Sequence, residues 1–353
     1  MFMRIITFKE AIREAQYQCL ESDPSVILIG EGVPDPKAVF STTEGLKEKF
    51  PDRVYDMPVS ENGGTGICIG AALNGLKPIL VHQRIDFSLY SADQLINNAA
   101  KWFSMFGGQK SVPLVVRMII GRGWGQGNQH SQNLTALYAH VPGLKIVMPS
   151  NAFDAKGLFI SAVKDPNPVL FIEHRWLYET TSDVPENMYE VPIGISCSNR
   201  TGIDVTVVTS GHATIEAKRA REYLDKRNVS VDIVDLRTIK PLDISLIKHS
   251  LQRTRRLIVV DDAWRFGGLA AEIIAQIAED PTMTLKSAPI RLTYPDYPSG
   301  SSPALTRSYY PGPADICIAV QKSLGRELDL TEIITYQAHR VHDVPDQNFK
   351  GPF

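Results

Sequence analysis

Pro58-Val-Ser-Glu-Asn-Gly-Gly-Thr-Gly-Ile-Cys-Ile-Gly-Ala-Ala-Leu73, followed closely by the apolar run Pro78-Ile-Leu-Val81, reads as a helix feeding a buried strand. One carboxylate, Glu61, opens a run of small and apolar residues that predicts a tightly packed helix over about 61–75. Ser60 or Glu61 can serve at its start, where the helix dipole and the unpaired backbone N–H groups favour negative charge. The glycines and alanines leave so little bulk that another element must approach this helix closely. Two readings of Glu61 stay open at this point. It is either the first residue of a capped core helix or a buried carboxylate with a proton to handle.

Working outward, the same alternation continues along the chain. Thr7-Phe-Lys-Glu10 is a capping-box pattern that opens an amphipathic helix reaching about Leu20. Val26–Gly30, Pro113–Ile120, Leu144–Met148 and Pro168–Glu173 are short apolar runs of the buried-strand type, with helices expected near 91–105, 131–139 and 152–164. From Tyr178 to Gly202 the periodicity fades into polar residues. A second series then begins, with strands at Val205–Thr209, Val229–Asp235, Arg256–Val260 and Ile290–Thr293, and helices near 212–227, 268–279 and 313–325. The pattern predicts an α/β protein of two domains, each a mostly parallel sheet flanked by helices. The expected boundaries are 1–185, a linker over 186–202, 203–328, and a polar tail over 329–353, extended or docked on a partner through His339, His342 and the aromatic end.

Composition agrees with this and narrows the function. The 353 residues are 43% hydrophobic and 22% charged, ordinary values for a chain of about two domains. A formal net charge of -2 supplies no basic footprint for nucleic acid and no polybasic patch for a membrane. Four dispersed cysteines form no CxxC pair, and the N-terminus lacks a signal-peptide core, so a cytoplasmic location is expected. Arg253-Thr-Arg-Arg256 reads as a solvated loop before a strand.

Three further positions can carry chemistry. Phe87 follows the strand ending near Val81, and the carboxyl ends of parallel strands are where open α/β sheets place ligands. An aromatic there can stack on a flat heterocycle or simply pack in the core. Gly121-Arg-Gly-Trp-Gly-Gln-Gly127 has four glycines in seven residues but matches neither common phosphate-binding order, so a flexible loop with Ser131 as a cap is the alternative. His130 ends this loop and is expected to open the next helix, where it could titrate near neutrality or polarise a carbonyl. No G-x-S-x-G or H-E-x-x-H occurs, and Asp261-Asp262 reads as a strand–helix junction.

Together these pieces resemble the β subunit of the thiamine-diphosphate-dependent 2-oxo acid dehydrogenase E1 component, the group of pyruvate, acetoin and branched-chain enzymes within the transketolase-like superfamily. The resemblance runs from about residue 4 to 326. It is carried in order by the Glu61–Ala72 block, Phe87-Ser-Leu with Asp93–Lys101, Gly125–Gln132, His140–Lys145, Pro149–Gly157 and Asp235–Asp243. It implies an oxidoreductase that decarboxylates a 2-oxo acid and passes the acyl unit to a lipoyl acceptor, active only with an α subunit. Glu61 would hydrogen-bond the cofactor's aminopyrimidine and promote its proton transfer. Phe87 would stack on that ring, with Val59 and Gln83 lining its pocket, and His130 would face the substrate. In some relatives potassium is held by backbone carbonyls, and the matching positions are Leu114, Ala162, Val163, Asp165 and Asn167.

An absence and a departure shape the expectation. The Gly-Asp-Gly motif with which thiamine enzymes hold magnesium and the diphosphate does not occur, so Mg2+ and that half of the site are expected on the α subunit of an α2β2 assembly. At His82-Gln-Arg-Ile-Asp86 the chain leaves the family pattern. His82 and Arg84 could favour an anionic substrate, or Arg84 could simply pair with Asp86. The departure keeps two alternatives in view: transfer to a carbonyl or sugar acceptor as in transketolase, and a non-catalytic regulatory or scaffolding subunit.

Overall fold

A computed structural model of the chain describes residues 3–341 and 344–345. Two compact units emerge. The first is formed by the chain up to Gly121 with Leu137–Ile193, the second by Arg122–Ala136 with the chain from Gly194. The unit boundary is therefore not a single point in the sequence. Arg122–Ala136 belongs with the second unit because its side chains anchor there: Asn133 Nδ2 donates to the Asp262 carbonyl at 2.8 Å, and the Arg122 guanidinium lies 3.7 Å from the centre of the Tyr310 ring.

In the first unit the elements are β1 (Met3–Thr7), α1 (Phe8–Ser22), β2 (Val26–Gly30), β3 (Val54–Asp56), α2 (Glu61–Leu73), β4 (Lys77–His82), β5 (Val115–Ile120), β6 (Lys145–Val147), α3 (Ala152–Lys164), β7 (Val169–His174) and β8 (Thr181–Pro185). The parallel strands run in the order β6-β7-β5-β4-β2-β3, while β1 and β8 form a separate antiparallel pair. The capping box is present, with Thr7 Oγ1 accepting from Glu10 N–H and Glu10 Oε2 accepting from Thr7 N–H at 2.8 Å. β5 and β7 are buried along their whole length, as their unbroken apolar runs require, except that Arg117 and Glu173 are buried among them. Those two side chains pair at 2.7 and 3.0 Å; Arg117 also donates to Gln16 of α1 and to Thr42, and Tyr178 donates to Glu173.

The single helix expected over 91–105 is instead broken into a 3₁₀ turn at Phe87–Ser91, a π-type turn at Gln94–Ala99 and a short α-turn at Trp102–Met105. The wide turn carries Asn97 bonded back to Asp93 and Asn98 to Gln94, local contacts that compete with regular helix.

The second unit contains β9 (Val205–Thr209), α4 (His212–Asp225), β10 (Val231–Asp235), α5 (Ile244–Thr254), β11 (Leu257–Trp264), α6 (Leu269–Ala278), β12 (Ile290–Tyr294), α7 (Pro313–Leu324) and α8 (Thr331–His339). Its parallel sheet has the order β10-β9-β11-β12. Arg253–Arg256 is not a solvated loop: it ends α5, and Arg253 pairs with the buried Asp232 while Arg256 Nε donates to the Ser323 carbonyl at 2.9 Å. The expected tail is likewise not wholly extended, because Ile333 buries one side of α8 in the unit's core. His339 bonds within its own helix, to Thr335 O at 2.8 Å; His342 and the aromatic end lie outside the described residues. Among the described residues no helix is long and apolar enough to cross a membrane.

One buried group ties α2 to the rest of the first unit. His82, at the end of β4, places Nε2 3.5 Å from Thr65 Oγ1 of α2 and 3.2 Å from Ser91 Oγ. Burial disfavours its charged form and lowers its pKa from 6.5 to about 4. The unfolded chain therefore binds a proton that the folded chain refuses, and this stability is lost as pH falls from about 6.5 towards 4. Wild-type protein should lose roughly 2 kcal/mol more than a His82→Gln variant between pH 7 and pH 5 in urea unfolding. Parallel pH curves for the two proteins would exclude this linkage.

Candidate active site

The first unit's parallel strands change direction between β2 and β4. From β2 the chain goes to β3 on one side and then crosses to β4 on the other. The carboxyl ends of two such strands leave a crevice, the usual ligand position in an open α/β sheet. Gln83 and Glu31, the residues just past β4 and β2, meet there, with Gln83 Nε2 donating to the Glu31 carbonyl at 2.8 Å.

Glu61 is the first residue of α2 and only 8% exposed. Ser60 precedes it without capping it, so the carboxylate stands at an uncapped helix N-terminus. It makes no side-chain hydrogen bond among the described residues. The helix is thin because close neighbours demand it: a β-carbon at Gly64 would collide with Met57 Sδ, and one at Gly63 would fall 2.9 Å from Ser60 Oγ. Gly70, by contrast, faces open space, beside an Ile67 that is strongly exposed. The close approach expected from the small residues is thus met inside the chain on one side of the helix only.

Glu31 is a candidate site residue that the sequence does not single out. Its pKa is raised by burial first, then by the charges of Glu61 and Asp56. Its Oε1 is buried and has no hydrogen-bond partner. A buried acceptor left without a partner is free to meet a donor supplied by a ligand. Nothing local marks it in sequence beyond a single acid after Gly30, since the pairing is made by the fold across thirty residues.

The other expected residues are placed as follows. Phe87 begins the 3₁₀ turn that packs on α2, half-buried. Val59 is 84% exposed, a large apolar side chain just before Glu61. His82 and Arg84, expected as substrate candidates, are engaged inside the fold instead. His82 joins α2 to the 3₁₀ turn, while Arg84 Nη2 donates to the Gly121 carbonyl at 2.8 Å and its Nε lies 3.6 Å from Asp86. Both are under 5% exposed, so local contacts account for the neutral imidazole and the guanidinium alike.

Leu114, Ala162, Val163, Asp165 and Asn167 lie around the end of α3 and the starts of β5 and β7. The Leu114 carbonyl accepts Val169 N–H at 2.9 Å and the Ala162 carbonyl accepts Asp165 N–H at 3.3 Å. The Asp165 carboxylate is paired with Lys145 and accepts Asn167 N–H. A cation here would therefore rely on the second lone pairs of backbone carbonyls.

His130 belongs to the second unit and does not open a helix. Its N–H donates to Gly127 O at 3.3 Å, and the next helix begins only at Thr135. Asn133 rather than Ser131 accepts the Thr135 N–H, at 3.0 Å. Asp261 is the strand–helix junction expected of it: its Oδ2 accepts Ala270 N–H at 3.2 Å, and burial lifts its pKa to about 6.

The residues at the crevice suit a flat, basic heterocycle. An orphaned buried acid, a carboxylate without a bond of its own, an aromatic turn and an exposed valine supply a proton contact and apolar walls.

Comparison with known proteins agrees. The transketolase pyrimidine binding domain matches residues 4–181, and the transketolase C-terminal domain matches 197–316. The β subunit of an acetoin:2,6-dichlorophenolindophenol oxidoreductase from Cupriavidus necator is 40% identical over 331 residues, covering 91% of this chain and 98% of its own. The pyruvate dehydrogenase E1 component subunit β of Rickettsia felis is 39% identical, covering 90% and 98%, and the mitochondrial one of Bos taurus 38%, covering 91% of each. A solved structure titled as a split gene transketolase in an inactive β4 tetramer shares the fold with a TM-score of 0.75 at 19% identity, over 92% of this chain and 99% of its own. The chain belongs to the family of 2-oxo acid dehydrogenase E1 β subunits, thiamine-diphosphate-dependent proteins built from transketolase-type domains.

Proposed function

We propose that this chain works with a separate α subunit, in an α2β2 assembly, to decarboxylate a 2-oxo acid and pass the acyl unit to a lipoyl acceptor. The observation that carries the reading is the pair of acids at the switch point of the first sheet, where Glu61 makes no side-chain hydrogen bond among the described residues and the buried Oε1 of Glu31 has no hydrogen-bond partner. Thiamine diphosphate, when bound, supplies the carbon nucleophile and the electron sink for decarboxylation. Glu61 holds the proton contact to the aminopyrimidine nitrogen, and its shielded position keeps that proton from being shared with water. Phe87 and Val59 are the apolar walls of the ring pocket, and Gln83 fixes the Glu31 backbone beneath it. His130 faces the substrate. The absence of a Gly-Asp-Gly motif from the sequence supports an α subunit that holds Mg2+ and the diphosphate. The exposed Val59 and Ile67, at 84% and 67%, fit a partner surface on this side of α2. The burial of His82 and Arg84 removes the feature that favoured an anionic, sugar-type acceptor, and a lipoyl acceptor is the better reading.

Isothermal calorimetry tests the shared site directly. The purified chain should bind thiamine diphosphate and Mg2+ far more weakly than the reconstituted pair, and micromolar binding by the chain alone would end the shared-site reading. In the reconstituted enzyme Glu61→Gln should slow cofactor C2 proton exchange by about 10²-fold or more. Exchange at the wild-type rate would remove Glu61 from proton handling. A potassium ion at the carbonyls of Leu114, Ala162, Val163, Asp165 and Asn167 is part of the same proposal. KCl should then raise the melting temperature above that in equimolar NaCl, and equal values would dismiss the ion.

A further inference from the structure

The C-terminal family match ends at residue 316, and the relatives above leave about a tenth of this chain unaligned. Beyond that match the chain is firmly docked on the second unit. Asp329 O accepts from the Tyr223 hydroxyl at 2.9 Å and from Arg227 Nε at 2.6 Å, and Leu330 and Ile333 join the core. Gln337 of α8 spans the start of α7, with Oε1 accepting Ala314 N–H and Nε2 donating to Asp315, both at 2.7 Å. Just past α8, Arg340 grips Glu216 in a two-pronged contact at 2.6 and 3.1 Å. Gln337 and Arg340 thereby close a cavity of about 20 Å³, otherwise lined in part by Arg122, His212, Glu216 and Tyr310. It has room for one water.

Arg122 is the first residue of the segment 122–136, and its guanidinium stacks on Tyr310. The other end of that segment is tied down by Asn133 on the Asp262 carbonyl. His130 lies between these two anchors. Glu216 is 2% exposed and electrostatically coupled to Arg122. Its other cationic contact, Arg219, has a side chain that is 38% exposed.

We infer that Arg340 is a positioning residue for the His130 segment: by holding both oxygens of Glu216 it stops that carboxylate from drawing Arg122 off Tyr310. Arg122 and Glu216 line the same cavity, where the attraction between full charges is stronger than a cation–π contact. A bidentate arginine occupies both carboxylate oxygens, whereas a lysine occupies one. The inference rests on the reading that His130 faces the substrate, and the C-terminal segment becomes part of the active enzyme through it.

The test uses the reconstituted two-subunit enzyme and reads both kinetics and amide hydrogen exchange. Arg340→Gln should lower kcat about tenfold and speed exchange across residues 122–136, leaving β9 unchanged. Arg340→Lys should give an intermediate value. The double variant Arg340→Gln/Glu216→Gln should return kcat and exchange towards wild type, since position 216 then carries no charge to capture Arg122. A merely structural role predicts the opposite, with the double variant no better than the single. That result, or wild-type exchange and kcat in Arg340→Gln, overturns the inference. His130→Ala separates the two claims. Full activity in that variant refutes the role of His130, while the exchange data on Arg340→Gln still decide whether Glu216 captures Arg122.

Discussion

The first unit depends on one fully buried ion pair. Arg117 in the middle of β5 and Glu173 near the end of β7 are both 0% exposed, and Arg117 opposes Phe171 in the ladder, so Glu173 lies two residues along on the same face. Removing two charges from water is costly, and the attraction recovers that cost only when the remaining donors and acceptors are met. Here they are met by Gln16, Thr42 and Tyr178, which come from α1, the segment after β2, and the turn after β7. The pair therefore does what an apolar cluster of equal volume could not. It requires the two strands, the first helix and the Thr42 segment to share one register. The carboxyl edge where Glu31, Glu61 and Gln83 converge is built on those same strands.

The crevice itself shows the opposite economy. Burial first, then the charges of Glu61 and Asp56, raises the pKa of Glu31. A folded chain gains nothing in stability from such a pair. Two acids meeting at the carboxyl ends of the strands, one with an unsatisfied buried oxygen, mark this crevice as a place for a ligand rather than a source of stability. The geometry also explains why one chain does not suffice. Val59 and Ile67 on the approach to the site are exposed apolar groups, and the sequence contains no Gly-Asp-Gly motif.

How much of this was legible in the sequence follows from the range of each interaction. The Thr7–Glu10 capping box is closed within four residues and was read with its correct helix, as was the helix starting at Glu61. The central strands were legible because burial on both faces leaves unbroken apolar runs. β3 and the β1–β8 pair were not, being short or half-exposed with no strong pattern. α5 was missed although Asp243 accepts the Leu246 N–H at its start; the arginines at its end read as a polar loop, and only the fold reveals Asp232 waiting for Arg253. At the crevice, the helix start at Glu61 was legible in the sequence, whereas Glu31 was not, since what sets it apart is burial beside a residue thirty positions away. The burial of His82 and Arg84 was equally hidden. Composition placed two cations near the pocket, and the fold turned both inward.

Buried charge in the second unit follows a different rule from that in the first. Burial drives His212 well below its usual range, with Arg122, Arg219 and Arg340 adding to the effect, and drives Asp262 up to about 7. Burial disfavours the charged form of both groups and so weakens the counter-charge that Asp262 offers the arginines around it. Glu216 is left as the carboxylate over which Arg219, Arg340 and Arg122 compete. When several cations share one acceptor, the position of each depends on which of them hold it. The segment beyond the family's C-terminal domain supplies one of those cations, and the segment bearing His130 supplies another. Two parts of the chain with no sequence pattern in common are thereby coupled through a single carboxylate.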